Sequence, residues 1–240
     1  MATEWFASLS HLLAAPIALV WGVRAVRRHR GTPAATALGL FAAAAFVLLL
    51  VSAGYHILPK GSDARELVRR LDHAAIWLMI ASSVQAIHTL VFEGRWRWIP
   101  PLLVWTFAAI GIALVVFVFD RFTTLGWVLL YIGVGCVGLA SLIELLIARR
   151  FDIALPFAVG GFVYSLGAIA DELLPFDPVL AVFGQHELFH LAVLGGIASH
   201  AALLAYLARS AAHRPETGAR ARYSMPDFAD SGRSPSASAN

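Results

Sequence analysis

Three short stretches of the chain carry side chains able to bind a metal or move a proton: Ser52-Ala-Gly-Tyr-His56, Asp72-His73, and His186-Glu187-Leu-Phe-His190. Ser52 and His56 are four residues apart, as are His186 and His190, so on helices each pair projects from one face at successive turns. Two imidazoles at that spacing form a bidentate metal arm. A third, from His56, completes the pattern in which zinc has three protein ligands and one position open to water. Asp72 is then a candidate to hold that water, to serve as general base, or to orient a histidine. Ser52 is a candidate to hydrogen-bond Asp72 or a substrate oxygen.

The elements that must position these groups are set by composition. Of 240 residues, 59% are hydrophobic and 14% charged, and the mean hydropathy is +0.74. Such a chain has too few polar side chains to cover a water-facing globule. Seven apolar runs approach the roughly 20 residues a helix needs to span a bilayer: about 5–23, 34–58, 73–92, 99–119, 124–147, 153–171 and 186–208. They lack the period-two alternation of barrel strands, so the expected fold is an all-α integral membrane protein, a seven-transmembrane-helix bundle over residues 1–209. Residues 210–240, rich in Ser, Pro, Ala and Gly, read as a disordered tail. The first four residues give no basic start for a signal peptide, and Trp5 onward reads as the first span. Cys136 is the one cysteine, which excludes a disulfide scaffold. The arginines stand between apolar runs and not along one polar face, which excludes nucleic acid as a partner and points to anionic lipid headgroups and a multi-pass place in the cell membrane.

Connectivity does the rest. An even-numbered span ends on the membrane face where the next odd one starts, so the end of span 2 and the starts of spans 3 and 7 converge on one face whichever way the chain is inserted. Loops after spans 1, 3 and 5 plus the C-terminal tail hold 13 of the 18 Lys and Arg, and the opposite face holds five. By the positive-inside rule the C-terminus is cytoplasmic and the N-terminus outside. His11 lies in the first half of span 1, on the site's side, where it is a candidate to support a ligand. His73 points about 100° away from Asp72 and reads as a packing residue, with an alternative role as base. His88 and His200 read as buried hydrogen-bonding groups, Glu144 as a partner of Arg149 and Arg150, and Asp171 and Glu172, which close span 6 on the site's side, as a solvated helix end, with a role in access to the site as the alternative. The stretch His186–His190 also matches the H-E-x-x-H zinc helix in which the glutamate, here Glu187, is the base of a metalloprotease.

Taken in order, S-x-x-x-H, Arg70-Leu-Asp-His-Ala-Ala-Ile76, Gly160-Gly-Phe-Val-Tyr-Ser-Leu-Gly167 and H-x-x-x-H with His200 ten residues on resemble the hemolysin III proteins of bacteria, related to progestin and adiponectin receptors and more distantly to alkaline ceramidases. The resemblance covers about residues 5–208. It implies a seven-helix bundle with zinc on His56, His186 and His190, and Asp72 reaching the metal through water. It also implies a cytoplasmic N-terminus, the reverse of what the charge count gives. An acidic residue at position 187 departs from the family pattern.

The expected function is zinc-dependent hydrolysis of a membrane lipid. Zinc on three neutral imidazoles lowers the pKa of a bound water to roughly 7, and the ceramidase likeness suggests an amide or ester carbonyl as target, with Asp72 as base and Ser52 steadying the oxyanion or the water. Three rivals stand beside it: a non-enzymatic sensor or membrane-homeostasis protein whose zinc staples spans 2 and 7, an intramembrane metalloprotease using Glu187, and a cytolytic pore. Against the last, no span carries a continuous polar stripe.

Overall fold

The computed structural model describes residues 3–173 and 184–212. The apolar runs form α1 (Thr3–Arg28), α2 (Pro33–Ile57), α3 (Asp63–Val91), α4 (Ile99–Val118), α5 (Thr124–Gly135), α6 (Val137–Ile147), α7 (Phe151–Leu173) and α8 (Gln185–Ala212), with no strand among the described residues. Seven segments are long and apolar enough to cross a membrane, α5 and α6 together making the fifth. The chain is a multi-pass membrane protein. The tail assigned to 210–240 lies, from residue 213 on, outside the described residues.

Two elements differ from the sequence reading. The fifth span, expected as one helix, breaks at Cys136, where Leu139 N–H bonds the Cys136 carbonyl three residues back. Gly133 and Gly135 just before it each weaken a helix by about 1 kcal/mol relative to Ala. The third helix, expected from 73, begins at Asp63, so Asp72 and His73 lie inside it and not at its start. Ser62 caps it, its hydroxyl accepting from the Arg65 N–H at 3.2 Å, and Asp63 and Glu66 occupy the first turn, where carboxylates favour the helix dipole.

The helices pack as a closed ring in chain order, with α8 returning to α1 and α3 reaching inward to α8. Outward residues are large and apolar, Phe117 being 81% exposed and Ile17 69%, as a hydrocarbon-facing surface requires. Helical period fixes what faces inward. On α2, the buried residues Leu38, Phe41, Ala45, Leu49, Ser52 and His56 run at steps of three or four, so the core stripe continues without a break into the two polar groups. On α3, Asp72 stands above Ala75 and Met79 of the main core. His73 stands above Trp77, Ala81 and Val84 of a second core shared with α4 and α5.

Close approach of α7 to α8 depends on glycine. A Cβ at Gly167 would sit 2.4 Å from the Ala192 Cβ, and one at Gly160 would meet the His200 imidazole at 2.3 Å. Small residues are the usual means of bringing membrane helices together. Here they bring the end of α7 beside the start of α8.

Candidate metal centre

His56 at the end of α2 and His186 and His190 in the first turns of α8 offer ligand atoms that all lie within 4.8 Å of one another. The Nε2 atoms of His186 and His190 are 3.1 Å apart. The His56 ring lies 4.6 Å from that of His190 and 5.0 Å from that of His186, centre to centre. For comparison, two nitrogens on a tetrahedral zinc with bonds of 2.0–2.1 Å are separated by about 3.3 Å. Two of the three ligands therefore already stand at bonding separation. His56 and His190 are buried, whereas His186 is partly open, so the cluster sits at the margin of the bundle.

Each imidazole of α8 is held from behind. The Nδ1 of His186 lies 3.1 and 3.3 Å from the two carboxylate oxygens of Asp171. A carboxylate only accepts, so Nδ1 carries the proton and Nε2 keeps its lone pair, the tautomer a metal needs. On His190, Nδ1 is 3.2 Å from the Nε2 of His11, whose ring meets that of His190 edge-on at 4.5 Å. The network closes in two ways. With the proton on His190 Nε2, that nitrogen donates to His186. With the proton on His190 Nδ1, donated to His11, both Nε2 lone pairs face one another, an arrangement that a shared cation relieves. A paired tautomer change, His190 moving its proton to Nδ1 and His11 moving its own from Nε2 to Nδ1, thus prepares the cluster for a divalent ion, and the donor set fits zinc.

α1 is fastened for this purpose. The Ser8 hydroxyl donates to the Ala53 carbonyl on α2 at 2.9 Å, and His11, one turn on, is 1% exposed. Asp72 lies outside the three-ligand cluster but within electrostatic range of His186, and Ser52 is its hydrogen-bond partner. Ser52 of α2 and Asp72 of α3 are thus paired with each other.

The structure separates two further candidates from this group. The His73 Nδ1 is 3.0 Å from the Tyr131 hydroxyl, which itself donates to the His73 carbonyl, and the ring packs on Phe119. His73 thus belongs to the packing of α3 against α4 and α5. Glu187 is buried, and its Oε2 accepts from the Gly184 N–H at 2.8 Å, closing the first turn of α8 as capping carboxylates do. That oxygen is thus held at the helix's own start, while Oε1 is buried with no hydrogen-bond partner among the described residues. In the other direction, the sequence favours a solvated helix end for Asp171, and the structure puts it on His186. Chain parity already placed the end of the sixth span on the site's face, which was the available signal. His88 and His200 are buried hydrogen-bonding groups, on the Ser141 hydroxyl at 2.8 Å and the Phe157 carbonyl at 3.3 Å.

Comparison with known proteins agrees with this architecture. A family described as "Haemolysin-III related" matches residues 1–201. Hemolysin-3 of Bacillus cereus is 33% identical over 178 residues, 71% of this chain and 74% of that protein.

Proposed function

This chain belongs to the haemolysin-III-related family, and we propose that it is a zinc-dependent hydrolase acting on an amide or ester bond of a membrane lipid in the cell membrane. The observation that carries this reading is the set of three imidazoles with ligand atoms inside 4.8 Å of one another, each α8 member backed by its own partner. His56, His186 and His190 would hold the ion, Asp171 would keep the His186 proton on Nδ1, and His11 would accept the His190 Nδ1 proton. Zinc bound there supplies a Lewis acid that polarises a carbonyl and acidifies water.

The remaining chemistry belongs to the chain. A carboxylate oxygen of Asp72 takes a proton from the attacking water and returns it to the departing amine or alkoxide, so that the C–N or C–O bond breaks and water adds across it. Ser52 donates to Asp72 and so sets which oxygen is free to do this. The position of His56 and His186 at the ends of membrane-spanning helices supports a reaction at headgroup depth, where the linkage between lipid head and tail lies.

The test joins metal analysis to turnover. Purified wild type is expected to hold about one zinc and to release fatty acid from an amide- or ester-linked lipid, with chelation abolishing release and zinc restoring it. His186→Ala should lose both. Zinc retained without any lipid turnover would instead favour a non-enzymatic staple, a reading supported by the origin of all three ligands on α2 and α8 alone. No zinc in wild type would refute both readings. The protease alternative is not favoured, because Glu187 is engaged with Gly184.

A further inference from the structure

At the opposite end of the bundle, α1, α2 and α8 enclose a cleft of about 560 Å³. Arg24, Arg28 and Arg209 stand at its mouth, Ile17, Trp21 and Leu38 line its wall, and among the described residues no acidic side chain borders it. It exists because α8 presents Ala205 and Ala208 to α1 there, side chains too small to fill the gap. Trp21 is set in the wall by its edge-on contact with Phe41, 6.0 Å between ring centres. Neither Arg24 nor Arg28 has an ion-pair partner among the described residues.

The cleft has the two-part character of a phospholipid. From Arg24 at the mouth to Pro16 at the floor is eight residues of helix, about 12 Å, which takes the chain from headgroup level into hydrocarbon. Above are guanidinium groups, which pair with phosphate in two-point fashion, and below is apolar wall open to the side where exposed Ile17 faces lipid. A free phosphate would use the arginines and leave the apolar length wet. We propose that this cleft is a binding site for one anionic glycerophospholipid, its phosphate held by Arg24, Arg28 and Arg209 and the start of an acyl chain laid against Ile17 and Trp21. Its mouth at Arg209 lies about 28 Å along α8 from His190 and about 35 Å from His186, counting 19 and 23 residues at 1.5 Å each, and no ligand histidine lines it.

Native mass spectrometry of the full chain in detergent, titrated with phosphatidylglycerol, phosphatidylcholine or inorganic phosphate, tests this. Phosphatidylglycerol should be retained several-fold more strongly than phosphatidylcholine. Each interfacial arginine is worth about fivefold in attraction to an anionic lipid, so Arg24→Gln, Arg28→Gln and Arg209→Gln combined should weaken phosphatidylglycerol roughly 100-fold and abolish the preference. Val20→Trp, which fills the cleft while keeping every charge and so tests a protein with unaltered insertion signals, should also expel the lipid. Equal retention of both lipids by wild type, undiminished phosphatidylglycerol binding by either variant, or displacement of the lipid by inorganic phosphate at comparable concentration would overturn the proposal.

Discussion

Replacing Asp171 by alanine removes the acceptor from His186 Nδ1, which now lies 3.1 and 3.3 Å from the two carboxylate oxygens. The backbone carbonyl of Asp171 still receives the Gln185 side chain at 3.2 Å, so the junction of α7 and α8 survives. Loss of such a supporting carboxylate typically lowers metal affinity 10- to 100-fold, about 1.4–2.7 kcal/mol. The side chains of Asp171 and His186 are 25% and 40% exposed, so water can stand in for part of the lost bond and the effect should fall near the tenfold end. Asp171→Asn, which can still accept through Oδ1 but has no charge, should lie between wild type and Ala, since hydrogen bonds to charged groups are worth about twice neutral ones. Glu172→Ala removes an exposed carboxylate from the next position and serves as the control for general electrostatics. Competition for zinc against a calibrated fluorescent chelator, on full-length protein in detergent, measures all three. Zinc affinity for Asp171→Ala within twofold of wild type, or equal losses for Asp171→Ala and Glu172→Ala, would refute the reasoning.

The other outcomes address the roles of single groups. Asp72→Asn should leave zinc content unchanged and abolish lipid turnover, because Asp72 lies outside the ligand cluster; activity retained in a lipid-release assay would remove its role as base. Glu187→Ala should lower thermal stability by about 1 kcal/mol through loss of the bond to Gly184 while keeping zinc and turnover; zinc retained with turnover lost would restore the glutamate to catalysis. Gly167→Leu should force α7 from α8 against the Ala192 contact at 2.4 Å, costing about 1–3 kcal/mol in melting experiments and weakening zinc as Asp171 withdraws from His186.

Much of this protein was legible without coordinates because the bilayer is a demanding solvent. Hydrocarbon tolerates few backbone solutions and few polar groups, so seven apolar runs already mean seven crossings, and the rare intramembrane histidines stand out. Chain parity then puts Ser52, His56, Asp72, His186 and His190 on one face, and the four-residue steps put His186 beside His190. Hydropathy does not reveal the first turns of α3, because they are charged; Ser62 and the acidic first turn are the signal there.

What the tertiary structure alone decided is which polar neighbour serves which histidine. Asp72 and His73 adjoin in sequence, yet one faces α8 and the other is bound to Tyr131, because 100° of helix divides two separate cores. Glu187 and Asp171 are both carboxylates near His186. The first gives one oxygen to its own helix end and the second reaches the imidazole, since small residues at Gly167 and Ala192 let α7 and α8 close together. Periodicity and connectivity are properties of the chain, but the separation of two helix axes is set by every side chain between them, and hydrogen bonds over 3 Å depend on that distance.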